Sequence, residues 1–136
     1  MEIPINYWAV LAAALANMAV GSLWYGPVFG KTWMGLTGIT NESMKSMKLS
    51  AKQAVAGGFV VSLVMAYVLA MFIFIYGAVS ASGALELGFW IWLGFLASTS
   101  ISSFLWEGKP FKLFVLNAAE QLVAIAVMAL VLVFWQ

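Results

Sequence analysis

Five glutamates supply all the acid in the chain: Glu2, Glu42, Glu86, Glu107 and Glu120. Four of them fall near the ends of apolar runs, but Glu120 stands inside one. It is about ten residues into the run that begins at Phe111, near mid-bilayer at ~1.5 Å of rise per residue. A bare carboxylate at that depth costs ~3 kcal/mol on insertion scales. All six cations are lysines, and none lies deep within an apolar run to pair with it. Glu120 is therefore expected to be protonated, hydrogen-bonded inside a helix bundle, or wetted. An intramembrane carboxyl is by default a candidate functional group.

Asn117, Glu120 and Gln121 share one helical face, at i, i+3 and i+4. Asn17, in the middle of the first apolar run, is expected to meet them across a bundle. The third run offers Ser98, Thr99, Ser100, Ser102 and Ser103. Together these predict a polar seam from mid-membrane toward Glu107, a path or pocket for a proton, ion or small polar solute. Ordinary helix–helix hydrogen bonding, at ~0.6 kcal/mol per contact, is the simpler account of Asn17, Asn117, Gln121 and the hydroxyls. On that account Glu120 is protonated and bonded to a neighbour.

The composition dictates what must position these groups. Of 136 residues, 65% are hydrophobic and 8% charged, and the mean hydropathy is +1.03. A soluble domain lacks enough polar surface at that composition, and a disordered chain is far less apolar. Four runs are long enough to cross a bilayer, near residues 5–25, 54–77, 87–106 and 111–135. They are too long and too uniformly apolar for barrel strands. The expected fold is all-α, a single transmembrane four-helix bundle over residues 1–136. The first run is expected to be retained, because its leader Met1-Glu2-Ile3-Pro4 carries an acid where a signal peptide carries a base.

Lys31, Lys45, Lys48 and Lys52 lie between runs one and two, and Lys109 and Lys112 between three and four. Both loops fall on one side, which the positive-inside rule makes cytoplasmic, with both termini on the non-cytoplasmic side. The expected location is an inner or cytoplasmic membrane of a prokaryotic cell. Aromatic belts are expected at both interfaces: Tyr7, Trp8, Tyr76, Trp90, Trp92 and Trp135 outside, Trp24, Tyr25, Trp33 and Trp106 inside. In the long loop 26–53, Gly26-Pro27 should end the first helix. Lys45, Lys48 and Lys52 then fall on one face of a short basic amphipathic segment over 41–53, preceded by Trp33. These four are the headgroup-contacting candidates.

Small residues recur every fourth position: Ala9, Ala13, Asn17 and Gly21; Ala54, Gly58, Ser62, Ala66 and Ala70; Gly94, Ser98 and Ser102. Such stripes let helices approach closely, within one protomer or between subunits. The strong lysine bias counts against an antiparallel dimer, so self-association should give a parallel homo-oligomer.

Without Cys, His or Arg there is no thiolate, no imidazole base and no phosphate fork. An enzyme, a bound metal, a cofactor and a nucleic-acid partner are all disfavoured. Two function classes remain. One is a small oligomeric membrane protein that binds or passes a proton or small solute through Glu120. The other is a non-catalytic accessory subunit, or a lipid- or pigment-binding scaffold, of a larger membrane complex.

Two segments carry a family resemblance. One is Asn6-Tyr7-Trp8-Ala9-Val10, continuing to Gly21-Ser22-Leu23-Trp24-Tyr25-Gly26-Pro27 and Phe29-Gly30-Lys31-Thr32-Trp33. The other is Trp106-Glu107-Gly108-Lys109-Pro110-Phe111-Lys112-Leu113-Phe114, followed by Asn117 and Gln121. Both resemble the DUF1761 family, small four-span membrane proteins of unknown function. The resemblance marks Trp24, Tyr25, Pro27, Gly30, Lys31, Trp33, Glu107 and Lys112 as family-motif residues and implies no substrate. Where this chain has Glu120, the family often has an aromatic or other polar residue, which would make a carboxylate role particular to this protein.

Overall fold

The computed structural model describes residues 2–136. Four helices are long and apolar enough to cross a membrane: α1 (Tyr7–Val28), α4 (Ala51–Tyr76), α5 (Ala81–Leu105) and α6 (Phe111–Phe134). Two short helices, α2 (Gly30–Thr37) and α3 (Asn41–Lys45), fill the long loop. No strand is present among the described residues.

The ends of the helices follow from local chemistry. Asn6 caps α1, its side-chain oxygen accepting from the amides of Trp8 and Ala9. Ser50 and Gln53 form a reciprocal capping box that starts α4 three residues before the expected boundary. Ser80 caps α5 through the Gly83 amide, so this helix starts at Ala81 and takes Glu86 into its second turn. At the end of α4, Gly77 is left-handed (φ 79°), and Gly77 and Ala78 donate back to Phe74 and Ile73 in a Schellman closure.

α6 is the most buried span and packs on α1, α5 and α4. The tight core lies toward the termini. Ala9, Ala13, Ala66, Ile73, Met128 and Ala129 are buried there with almost no exposure. The small side chains of α1 and α4 allow this approach, with Gly58 seated against Met18. Two of the three small-residue stripes are thus spent inside the protomer, whereas Gly94, Ser98 and Ser102 of α5 are exposed. At the terminal end the chain ends are tied in: Asn6 donates to the Trp135 carbonyl (3.2 Å) and Gln136 to the Ala78 carbonyl (3.1 Å).

The first helix ends at Val28, one residue past Gly26-Pro27. It does so through a π-turn over Trp24–Val28, closed by Phe29 N–H to the Trp24 carbonyl at 2.8 Å. A wider turn makes room for the proline ring and tolerates its missing N–H. One expectation for the loop is corrected: Lys45, Lys48 and Lys52 do not share one helical face. α3 ends at Lys45, Lys48 sits in a bend, and Lys52 belongs to the first turn of α4. The Ser50 cap starts a new helix there, so residues 41–53 cannot run as one.

Of the aromatic residues, Trp24, Tyr25, Trp33 and Trp92 are partly buried against the rest of the protein. Trp24 packs on Phe29, and Tyr25 meets Trp33 edge-on at 5.6 Å. Trp92 donates to the Ala118 carbonyl at 2.7 Å, from a second π-turn over Trp92–Ala97. Tyr7, Trp8, Trp90 and Trp106 are exposed, with Trp106 at 86% the most open of them.

Candidate functional site

Asn17, Gly21 and Tyr25 repeat every fourth residue of α1 and so face one direction. They face the Asn117–Glu120–Gln121 face of α6. Between them lies a cavity of about 660 Å³, lined by Glu120, Gln121, Asn17, Gly21, Ser22 and Tyr25, with Met18, Met65, Leu96 and Ile125 as apolar wall. Glu120 is the only charged residue on that lining. A volume of this size lies within the range of small-molecule sites. Val55 and Val61 of α4 also line it and are exposed, so it opens at the molecular surface.

A second cavity, of about 440 Å³, continues toward the lysine-bearing end. Ser100, Ser102, Ser103, Glu107, Asn117 and Gln121 line it, and Tyr25 and Gln121 border both spaces. Two hydrogen bonds lie at this border. The Tyr25 hydroxyl donates to Asn117 Oδ1 at 2.7 Å, and the Ser100 hydroxyl donates to Gln121 Oε1 at 3.1 Å. The Glu120 cavity and the Glu107 vestibule are therefore neighbours across a polar partition. In the other direction the interior is closed. Asn17 Nδ2 donates to Ser62 Oγ at 2.8 Å, and beyond that pair lies the alanine-rich core.

The polar groups around Glu120 bond to one another, not to it: Asn17 to Ser62, Tyr25 to Asn117, Ser100 to Gln121. Gly21 leaves its carboxyl room, since a Cβ built there would stand 3.8 Å from Glu120 Oε1. A half-buried acid is thus framed by satisfied neutral dipoles and one open space.

The expected site residues are divided among these places. Glu120, Asn117, Gln121 and Asn17 line the two cavities, although Asn17 bonds to Ser62 and not to the α6 trio. Ser102 lines the vestibule, and its hydroxyl donates to the Thr99 carbonyl. Ser98 does not join the seam. It is exposed, and its hydroxyl donates to the Gly94 carbonyl of its own helix, the usual local alternative for an intrahelical serine. Glu107 and Lys112 do not form one site, because Glu107 lines the vestibule and Lys112 lines a different groove. Tyr25 enters the seam unforeseen, whereas Ser100, expected there, joins it through its bond to Gln121. The fourfold spacing from Asn17 to Tyr25 is the signal that would have placed the tyrosine. No cluster of three metal-ligating side chains exists among the described residues.

A helical protein with four candidate membrane spans and a cavity lined by a single glutamate is the class these features define. The chain belongs to the DUF1761 family, proteins of unknown function, whose model matches residues 8–133. No curated protein and no solved structure gives a significant match.

Proposed function

We propose that this protein binds a proton or a small cationic solute at Glu120 and passes it through a change of shape. The observation that carries this reading is the lone carboxyl in a 660 Å³ cavity walled by neutral groups. A single negative group in a low-dielectric space favours a cation or a proton over an anion. The apolar closure beyond Asn17 and Ser62 argues against a standing pore, so transfer requires the helices to move. The test is infrared difference spectroscopy of the wild type against Glu120→Gln. The carboxyl band is expected to respond to buffer pH and to exchange rapidly in heavy water. A band that ignores pH and exchanges slowly overturns the reading.

The second reading, an accessory subunit, is favoured by the outward Gly94, Ser98 and Ser102 face of α5. The same face suits self-association, which the lysine distribution would make parallel. The lysine-bearing end is placed on the cytoplasmic side of an inner or cytoplasmic membrane of a prokaryotic cell, by the charge rule. The cysteine-free chain makes both points testable. In intact cells, a cysteine replacing Ser80 should react with an impermeant maleimide and one replacing Ser46 should not. A cysteine replacing Gly94 should cross-link to a second copy. Reversed labelling overturns the orientation, and Gly94→Cys that stays monomeric under oxidation overturns the α5 interface.

A further inference from the structure

A third space lies outside both polar cavities, on the other side of the π-turn. α2 folds back against the start of α6, leaving a groove of about 570 Å³ between them. Lys31, the second residue of α2, and Lys112, the second residue of α6, both line it with Thr32. They come from the two separate loops that carry all the lysines. The rest of the lining is largely apolar, including Phe29, Leu36, Val115 and Leu116, and extends as far as Ala119. From Lys112 to Ala119 the groove runs about 10 Å along α6, at ~1.5 Å per residue. Charge stands at the headgroup end and hydrocarbon at the deep end.

We propose that this groove holds one anionic phospholipid, its phosphate between Lys31 and Lys112 and one acyl chain along Val115, Leu116 and Ala119. The polarity gradient runs in the direction of a phospholipid's own, so an amphiphile fills the groove from end to end. A soluble anion engages only its mouth. Basic pockets between membrane helices at the headgroup level are known to suit acidic lipid heads. The geometry is fixed by the backbone. A Cβ at Gly30 would stand 2.9 Å from the Tyr25 carbonyl oxygen, so glycine alone lets α2 turn back this sharply and bring Lys31 over α6. Lys45, Lys48 and Lys52 do not line this groove. They are spread over α3, a bend and α4, and serve as a diffuse positive surface.

The test is native mass spectrometry of the purified full chain. It is titrated with phosphatidylglycerol, or with phosphatidylcholine of the same acyl chains. Phosphatidylglycerol is expected to bind about tenfold more tightly. The double variant Lys31→Gln/Lys112→Gln should lose that preference. The triple variant Lys45→Gln/Lys48→Gln/Lys52→Gln should keep it. Both groove lysines are exposed, so their replacement leaves the packing intact. Ala119→Trp, which fills the deep end, should weaken phosphatidylglycerol without touching either lysine. The proposal is overturned if the triple variant loses the preference while the double keeps it, or if phosphatidylcholine binds as well. Displacement of the lipid by millimolar inorganic phosphate, or unchanged binding to Ala119→Trp, overturns it too.

Discussion

Glu120→Gln should lower cation or proton flux into proteoliposomes by at least about thirtyfold, the equivalent of ~2 kcal/mol. The assay is vesicles loaded with a pH-sensitive dye and driven by a potassium diffusion potential, with methylammonium uptake as the small-cation arm. Glutamine keeps the shape of glutamate and removes its charge and its exchangeable carboxyl proton. The fold should not suffer. The nearest polar groups already have partners in Ser62, Asn117 and Gln121, so none is orphaned by the exchange. A neutral side chain in a half-buried position also escapes the cost of desolvating a carboxylate. Glu120→Gln should therefore melt no lower than the wild type while losing flux. Gly21→Leu approaches the same site from the opposite helix. Its side chain would occupy the space that now leaves Glu120 Oε1 3.8 Å from a Cβ, and flux should fall with the carboxyl still present. Unchanged flux in Glu120→Gln would remove the carboxyl from the mechanism. The accessory-subunit reading predicts that harmless outcome.

The spans were legible in the sequence because length and apolarity alone set them, and the lysine spacing put both loops at one end. The acid face of α6 was legible too, since Asn117, Glu120 and Gln121 obey helical spacing. What they would meet was not. Pairing across a bundle depends on how each helix is rotated, and the apolar amphipathicity that fixes rotation in soluble bundles is absent when lipid surrounds the protein. Asn17 thus finds Ser62 on α4 rather than a group on α6. Tyr25 was read as an interfacial ring because amphipathic rings favour the headgroup level. Its fourfold spacing from Asn17 and Gly21 was legible, but the π-turn that begins at Trp24 was not, since a widened turn has no periodic signature. The helix that follows this turn brings Trp33 edge-on to Tyr25. Lys45, Lys48 and Lys52 illustrate the opposite failure. Their spacing is correct for a helix, yet the Ser50–Gln53 capping box starts a new helix in their midst.

Gly30→Ala should be the most damaging small substitution in the loop, because it attacks the turn on which both the seam and the lysine groove depend. The added Cβ would meet the Tyr25 carbonyl oxygen at 2.9 Å and its carbon at 3.4 Å. Both are backbone atoms, so no side chain can swing aside to relieve the contact. Either the π-turn over Trp24–Val28 opens or α2 moves away from it. Overpacking of this kind costs about 1–3 kcal/mol. For a chain of this size that lowers the melting temperature by roughly 5 °C or more. The consequences should reach beyond stability. Tyr25 carries the hydroxyl that bonds Asn117 and the ring that meets Trp33, and it borders both cavities. Displacing its backbone loosens the partition between Glu120 and the vestibule, while moving α2 shifts Lys31 in the groove it lines with Lys112. Gly35→Ala is the matched control. It lies in the same short helix, nothing stands within 4 Å of its Cβ, and alanine favours helix over glycine by up to ~1 kcal/mol. One glycine-to-alanine exchange in α2 should thus lower the melting temperature in detergent, and the other, five residues on, should hold or raise it. Equal melting of the two variants would mean that the turn at Tyr25 yields freely and does not hold the seam in place.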